Sequence, residues 1–159
     1  MLEQGNTVVL RTFSKAYALA GFRVGWGAFP PAVAKEIRKV MNPNNISVVS
    51  QAAALAALSD HTYMRQTCAV TIDIRDRTVA RLTDAGFSVC PSHTNFLLID
   101  LSTETAARDV DARLRSKGLI ARRQAGAGLP HALRVTVGSE GAMERVVATL
   151  VAWKKETSS

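Results

Sequence analysis

The alternation of apolar and polar residues along the chain predicts five helices and five strands. The helices are predicted to begin at Pro30–Pro31 and stop at Asn42, to cover Ser50–Leu58, His61–Ala85 and Thr105–Lys117, and to begin again at Ser139. The strands are predicted at Asn6–Arg11, Phe22–Ala28, Asn95–Leu101, Leu119–Arg123 and Ala132–Val137. This order of elements indicates an α/β fold, in which a small domain of strands and helices follows the longest helix.

Two of the predicted helices have unusual surfaces. Ser50–Leu58 is rich in alanine and has almost no polar face, so we expect it to be buried against neighbouring protein. The helix His61–Ala85 carries a charged stripe between its apolar positions, which includes Asp73, Arg75, Asp76, Arg77 and Arg81. We interpret this stripe as a solvated or domain-bridging face.

Composition limits the class of protein without defining a function. The 159 residues, 47% of them hydrophobic, are enough to bury one core. No stretch is long and apolar enough to span a bilayer, and the N-terminus has no secretory signal pattern. The two cysteines, Cys68 and Cys90, have no metal-binding spacing and favour a reduced, cytoplasmic setting. The three histidines are scattered, so we predict no metal site.

The formal net charge of +7 allows two interpretations. A basic chain can bind nucleic acid or another polyanion, which makes a non-catalytic basic interaction module one alternative. The twenty Lys and Arg residues are spread along the chain, however, without blocks or interleaved aromatics. We therefore predict no nucleic-acid partner, and expect that a phosphorylated ligand uses some of the arginines.

One segment near the N-terminus carries the most specific chemistry. Thr12 and Ser14 precede Lys15, and Arg23 follows it by eight residues. A deprotonated lysine amine forms a Schiff base with an aldehyde, while hydroxyl and guanidinium groups bind phosphate. This set suits pyridoxal phosphate, with Lys15 in a turn between two strands at the edge of a sheet. An isolated Ser-Lys pair, in contrast, is usually part of a solvated loop.

Residues 12–25, Thr-Phe-Ser-Lys-Ala-Tyr-Ala-Leu-Ala-Gly-Phe-Arg-Val-Gly, resemble the cofactor-lysine segment of the histidinol-phosphate aminotransferase family. That family belongs to the fold type I enzymes that depend on pyridoxal phosphate. The family pattern, Thr-(Phe/Leu)-Ser-Lys-Ala-(Tyr/Phe)-x-Leu-Ala-Gly-x-Arg-x-Gly, is matched throughout. The resemblance implies that Lys15 binds the cofactor covalently and that Thr12, Ser14 and Arg23 hold its phosphate.

Residues 118–138 resemble the C-terminal signature of the same family, in which two strand arginines bind the anionic end of the substrate. The matching positions are Arg122 and Arg134. The alternation of Leu133 and Val135 with polar residues independently places Arg134 on the face opposite the apolar row. A solvent-facing arginine is the ordinary alternative for such a position.

Two positions within this signature depart from the family pattern. Where the family often has proline after the first arginine, this chain has Arg123, and where it often has an aromatic residue between two glycines, this chain has Ala127. We expect the extra charge and the missing ring to affect which substrate is accepted. Neither change touches the cofactor chemistry.

The resemblance implies a specific α/β fold, namely the C-terminal part of the fold type I large domain followed by the small C-terminal α/β domain. We assign residues 1–60 to the remnant of the cofactor-binding domain and residues 61–159 to the connecting helix and the small domain. Only thirteen residues precede Ser14, so the earlier half of the large domain is expected to be missing. The chain is therefore expected to be inactive alone, as a truncated product, a metagenomic fragment or one half of a split enzyme.

The implied reaction is the transfer of an amino group from histidinol phosphate to 2-oxoglutarate, which gives imidazole acetol phosphate and glutamate. Its partners are a small-molecule amino donor and a 2-oxo acid acceptor, in an enzyme that forms a homodimer when complete. Alternatives in the same superfamily are an aromatic or other amino-acid aminotransferase and a threonine-phosphate decarboxylase. An inert fragment with exposed apolar surface is a further alternative.

Overall fold

A computed structural model describes residues 5–157 of the chain. The chain divides into two compact units, one that ends at Cys68 and one that begins at Ala69. This division falls inside the longest helix, and the domain boundary at residues 60/61 stays a prediction. Among the helices of residues 5–157, none combines the length and the apolar character that crossing a membrane requires.

The first unit contains a two-stranded antiparallel sheet and helices. Strand β1 (Val9–Thr12) pairs with strand β2 (Gly25–Ala28) from end to end. A Cβ atom on Gly25 would lie 2.7 Å from the Arg11 carbonyl oxygen, so the close approach of the two strands requires glycine there. The helices that follow are α1 (Pro31–Val40), α2 (Val48–Ser59) and the beginning of α3 (His61–Asp84).

Local sequence explains where α1 and α2 begin. Pro31 occupies the first turn of α1, where its missing N–H group is not needed. The Ser47 hydroxyl caps α2 by accepting a hydrogen bond from the Ser50 N–H at 3.1 Å. Within the described residues α2 is less buried than its sequence predicts, because no layer of this unit covers its apolar side chains. Those left exposed are Val48, Val49, Leu55 and Leu58.

The second unit is a four-stranded antiparallel sheet with helices, and it confirms the predicted α/β class. Its strands and helices after α3 are β3 (Ser88–Val89), β4 (Phe96–Asp100), α4 (Glu104–Ser116), β5 (Arg122–Gln124), β6 (Leu129–Thr136) and α5 (Glu140–Thr157). The strand order is β3-β4-β6-β5. The order of the elements agrees with the prediction, except that β3, with only two residues, was not predicted. Strands β2 and β5 each begin three residues later than predicted: β2 begins at Gly25 because Ala20–Phe22 form a helical turn, and β5 begins at Arg122, where its pairing with β6 begins.

One face of this sheet forms the core of the second unit. Leu97 and Ile99 of β4 and Leu133 and Val135 of β6 are buried and join apolar residues of α3, α4 and α5 in one cluster. These positions alternate with residues that face the other side, as the pleat of a strand requires. The apolar row of β6 thus lies where the sequence predicts it, and Arg134 lies on the opposite face.

Ile99→Val is expected to destabilise the chain by about 1 kcal/mol, because it removes a buried methylene group and leaves a small cavity. Thermal unfolding should show a decrease in the melting temperature of roughly 4–8 °C for a unit of this size. Ile120→Val is the matched control, since it makes the same change where the side chain is 82% exposed. Equal melting temperatures for the two variants would contradict the assigned core.

Arg75 corrects the interpretation of the charged stripe on α3. The residue is buried, and its guanidinium donates to Asp76 at 2.8 Å and to the Thr94 carbonyl oxygen at 3.4 Å. A charge can be buried when it is paired and hydrogen-bonded in this way. Arg77, in contrast, is exposed as the pattern predicts, and it bridges Asp73 on its own helix and Glu140 on α5.

Candidate functional site

The end of β1 and the loop that joins it to β2 carry the four residues of the predicted cofactor site. Thr12 is the last residue of β1, Ser14 and Lys15 follow, and Arg23 lies two residues before β2. The Thr12 hydroxyl donates to the Ser14 hydroxyl oxygen at 3.0 Å, and the Ser14 N–H donates back to Thr12 Oγ1 at 3.0 Å. The two hydroxyls therefore lie side by side at the beginning of the loop.

Lys15 is exposed on this loop, and its neighbours anchor the backbone beneath it. The Ala18 N–H donates to the Lys15 carbonyl oxygen at 2.9 Å and closes a turn. Phe13 is buried, and its ring centroid lies 4.9 Å from that of Tyr17. The main chain on both sides of Lys15 is thus held while its amine remains accessible to a ligand.

Arg23 adopts a left-handed backbone conformation with a φ of 51°, and Ala18 in the same loop has a φ of 57°. Such a conformation costs a non-glycine residue about 1–3 kcal/mol and persists only where surrounding contacts impose it. One contact is supplied by α2, where the Ser50 hydroxyl donates to the Phe22 carbonyl oxygen at 2.7 Å. The Phe13 N–H also donates to the Val24 carbonyl oxygen at 3.2 Å.

The donors of this loop match the requirements of a phosphate group. Within residues 5–157 the Ser14 hydroxyl only accepts a hydrogen bond, so its own hydrogen is available to a ligand. The Arg23 guanidinium uses Nη1 to donate to the Ala20 carbonyl oxygen at 2.8 Å, and its other N–H groups make no hydrogen bond to the described residues. A hydroxyl and a guanidinium beside an accessible amine suit a ligand that has both a phosphate and an aldehyde.

The two predicted substrate arginines form a pair in the second unit. Arg122 of β5 lies directly opposite Arg134 of β6, and side chains at directly opposite positions share one face of a sheet. Arg134 lies over the Phe96 ring at 5.2 Å from the centroid, and its buried Nε has no hydrogen-bond partner among the described residues. Two guanidinium groups on one face, one with an unpaired donor, are suited to bind an anion.

Sequence reasoning missed several residues that support these positions. Ser50 and Phe96 contact the loop and Arg134, respectively, and Glu104 pairs with Arg123 across 19 positions of sequence. The Ser47–Ser50 spacing signals the cap of α2 but not the contact to Phe22. These contacts connect residues that are distant along the chain, so no local pattern indicated them.

Two further features of the described residues offer no competing site. No group of three or more His, Cys, Asp or Glu residues within residues 5–157 is placed to hold a metal ion. An open depression of about 400 Å³ lies on the first unit and is lined mainly by apolar side chains of α2 and the segment before it, among them Ile46, Ala54, Leu55 and Leu58. It includes none of the six predicted site residues, and its apolar lining has no group that performs chemistry.

Comparison with known sequences relates most of the chain to one family. The sequence profile of the family Aminotransferase class I and II matches residues 1–150. The histidinol-phosphate aminotransferase of Rhodospirillum centenum is 38% identical over 151 residues, which are 94% of this chain and 42% of that protein. The enzyme of the same name from an Anaeromyxobacter species is 43% identical over 145 residues, which are 91% of this chain and 40% of that protein.

Comparison with solved structures relates the chain to the same family as the sequence comparison does. The histidinol-phosphate aminotransferase of Sinorhizobium meliloti, solved in complex with pyridoxal-5'-phosphate, superimposes with a TM-score of 0.84 at 32% identity. The match covers 94% of this chain and 41% of that one. The chain thus spans about two fifths of the length of the relatives that it matches.

Proposed function

Because the chain belongs to the class I and II aminotransferase family, we propose that it is the lysine-bearing portion of a histidinol-phosphate aminotransferase that depends on pyridoxal phosphate. The amino donor in this proposal is histidinol phosphate, and the acceptor is 2-oxoglutarate. The names of the relatives favour this donor over those of the other members of the superfamily. Since the chain spans about two fifths of those relatives, the activity is proposed for the chain together with the rest of the family fold.

The observation that carries the proposal is the arrangement of the β1–β2 loop. It presents an accessible lysine beside two adjacent hydroxyls and an arginine whose strained backbone is held in place. Strain of this kind is found where a structure needs a group in one fixed position, such as a ligand site. In the proposal Thr12, Ser14 and Arg23 bind the cofactor phosphate, and Lys15 Nζ bonds to its aldehyde carbon.

Pyridoxal phosphate, when bound, acts as an electron sink for the substrate carbon that carries the amine. In the proposed mechanism the amine of the substrate would displace Lys15 Nζ from the cofactor, and the freed amine of Lys15 would take the proton from that carbon as a general base. Arg23 and the two hydroxyls hold the phosphate, which keeps the reacting carbon within reach of Lys15 Nζ. Arg122 and Arg134 are proposed to bind the phosphate end of the substrate, which orients its amine.

The proposal extends to assembly and location. The completed enzyme is proposed to be a homodimer, which is consistent with large apolar side chains that remain exposed on the first unit, such as Leu10 and Trp26. A cytoplasmic location is proposed because both cysteines, Cys68 and Cys90, are free. Sedimentation of an enzyme completed with the rest of the family fold would test the dimer.

Incubation with pyridoxal phosphate followed by borohydride reduction is expected to modify Lys15 selectively. Reduction fixes a secondary amine between the aldehyde carbon and the lysine Nζ, and peptide mass spectrometry identifies the lysine. Exposed lysines such as Lys35 serve as internal competitors in the same sample. Their lower modification is expected because they lack the neighbouring phosphate donors of the loop.

Pyridoxal without its phosphate provides the matched control for this experiment. If the loop holds the phosphate, the preference for Lys15 should disappear with pyridoxal and should weaken in Ser14→Ala. Equal modification of all lysines by pyridoxal phosphate would sink the proposed cofactor site in this chain. Selectivity that is equal for both aldehydes would show a reactive lysine without a phosphate site.

A further inference from the structure

Strand β5 is the least secured strand of the second sheet. It has three residues and lies at the edge of the sheet, where within residues 5–157 it pairs with β6 alone, and its register shifts between Arg123 and Gln124. The preceding Ile120 is almost fully exposed, and the turn at residues 125–127 contains no buried residue. The position of Arg122 therefore depends on few contacts.

The partner of Arg122 across the sheet makes this position less stable. Arg122 lies directly opposite Arg134, and like charges at opposite positions destabilise an antiparallel pair. In the absence of a bound anion the repulsion acts to move β5 away from β6. Keeping Arg122 beside Arg134 therefore requires an attachment elsewhere on β5.

Arg123 makes such an attachment. Successive strand residues face opposite sides, so Arg123 points away from Arg122, towards the face that carries Leu133. Its Nη2 donates to Glu104 Oε1 at 2.9 Å, and Glu104 is the first residue of α4. Helix α4 packs against both β5 and β6, so this ion pair joins the edge strand to the helix over the sheet.

Glu104 accepts hydrogen bonds from two arginines, one on its own helix α4 and one on strand β5. Arg108, one turn later on α4, donates to Glu104 Oε1 from Nε at 3.0 Å and from Nη2 at 2.7 Å. The pKa of Glu104 is lowered, first by the hydrogen bond from Arg108 and its charge, and further by Arg123, which keeps the carboxylate ionised. Because Arg108 belongs to α4 itself, the contact with Arg123 is the one that connects Glu104 to the sheet among the described residues.

We propose that Arg123 is a positioning residue, which holds Arg122 opposite Arg134 by tying β5 to α4 through Glu104. The inference rests on the proposed function, because it treats Arg122 and Arg134 as a pair that binds an anion. It assigns Arg123 no contact with the substrate.

Titration of the full chain with inorganic phosphate tests this role. Binding is followed by NMR through the Nε–H signals of Arg122 and Arg134, which are assigned by replacing each with lysine. Arg123→Ala should weaken phosphate binding about fivefold, the upper range for a partly exposed ion pair, and should speed amide exchange in residues 121–124. Arg123→Lys keeps a positive charge on β5 that can pair with Glu104. Its affinity for phosphate should therefore stay within about twofold of that of the unmodified chain.

Glu104→Ala separates positioning from a simple effect of charge. Removal of this carboxylate makes the surroundings of the arginine pair more positive, so charge alone predicts tighter phosphate binding. The positioning role predicts weaker binding, because β5 loses its attachment. Arg108→Ala is the control, since it removes a positive charge beside Glu104 but leaves the contact with Arg123, and it should change the affinity less than about twofold.

The outcomes distinguish this inference from the proposed function. Equal affinity of Arg123→Ala and Arg108→Ala for phosphate, or tighter binding by Glu104→Ala, would overturn the positioning role alone. If phosphate moves neither arginine signal in the unmodified chain, the proposed anion site is wrong and the positioning role falls with it. Should Arg123→Ala fail to fold, Arg123→Lys and Glu104→Ala still decide the question.

Discussion

Lys15→Ala is expected to lower transamination by at least about a thousandfold in an enzyme completed with the rest of the family fold. The substitution removes both the amine that bonds to the cofactor and the base that takes the proton from the substrate carbon. A suitable enzyme joins this chain to the part of the Rhodospirillum centenum relative that lies outside its match. Glutamate formation from histidinol phosphate and 2-oxoglutarate measures the rate.

The control for this prediction is Lys35→Ala, which removes an exposed lysine of α1 in the same unit. Its rate should remain within about twofold of the unmodified hybrid, since surface substitutions away from a site have small effects. Pyridoxal phosphate should still bind Lys15→Ala through Ser14 and Arg23, although without a covalent bond. A rate for Lys15→Ala within about tenfold of the unmodified hybrid would contradict the catalytic role.

Elements with strong local periodicity were predicted with nearly correct bounds. The long helix was expected at His61–Ala85 and is observed as α3 (His61–Asp84), because its apolar spacing and the following Gly86 are local signals. Strand β4 lies within the predicted Asn95–Leu101 for the same reason. The two-residue strand β3 escaped prediction, since so short a run has no measurable alternation.

Features that depend on distant contacts could not be predicted. The burial of Arg75 depends on the segment around Thr94, which a helical pattern does not reveal. The charge at Arg123 was expected to affect substrate choice, but its contact with Glu104 required the fold. Motif matching therefore indicated which residues form the candidate site, while the structure adds the residues that hold them.

The apolar surface of α2 shows what a pattern can and cannot indicate. Its sequence predicts a buried helix, yet within residues 5–157 only Ser50 and Ala54 of α2 are buried. A helix without a polar face is stable in water only when another layer covers it. The pattern thus indicates correctly that α2 has an apolar surface, but it does not indicate which protein segment covers that surface.

Arg134→Ala is expected to raise the Michaelis constant for histidinol phosphate in the hybrid enzyme by roughly thirtyfold, which corresponds to about 2 kcal/mol. Arg134 is half-buried over Phe96 and has an unpaired buried Nε, so its guanidinium is held ready for an anion. Initial rates at varied histidinol phosphate concentration give the constant. The turnover number should change less, because the arginine binds the end of the substrate that does not react.

Histidinol without its phosphate is the decisive comparison for this prediction. If Arg134 binds the phosphate, Arg134→Ala should raise the Michaelis constant only for the phosphorylated donor and leave that for histidinol almost unchanged. The Michaelis constant of Arg134→Lys for histidinol phosphate should lie between those of the unmodified hybrid and Arg134→Ala. Lysine keeps the charge but not the planar fork that pairs with two oxygens. An equal effect on both donors would show that Arg134 supports the sheet and not the substrate. The same result would leave Arg122 without its proposed partner in binding an anion.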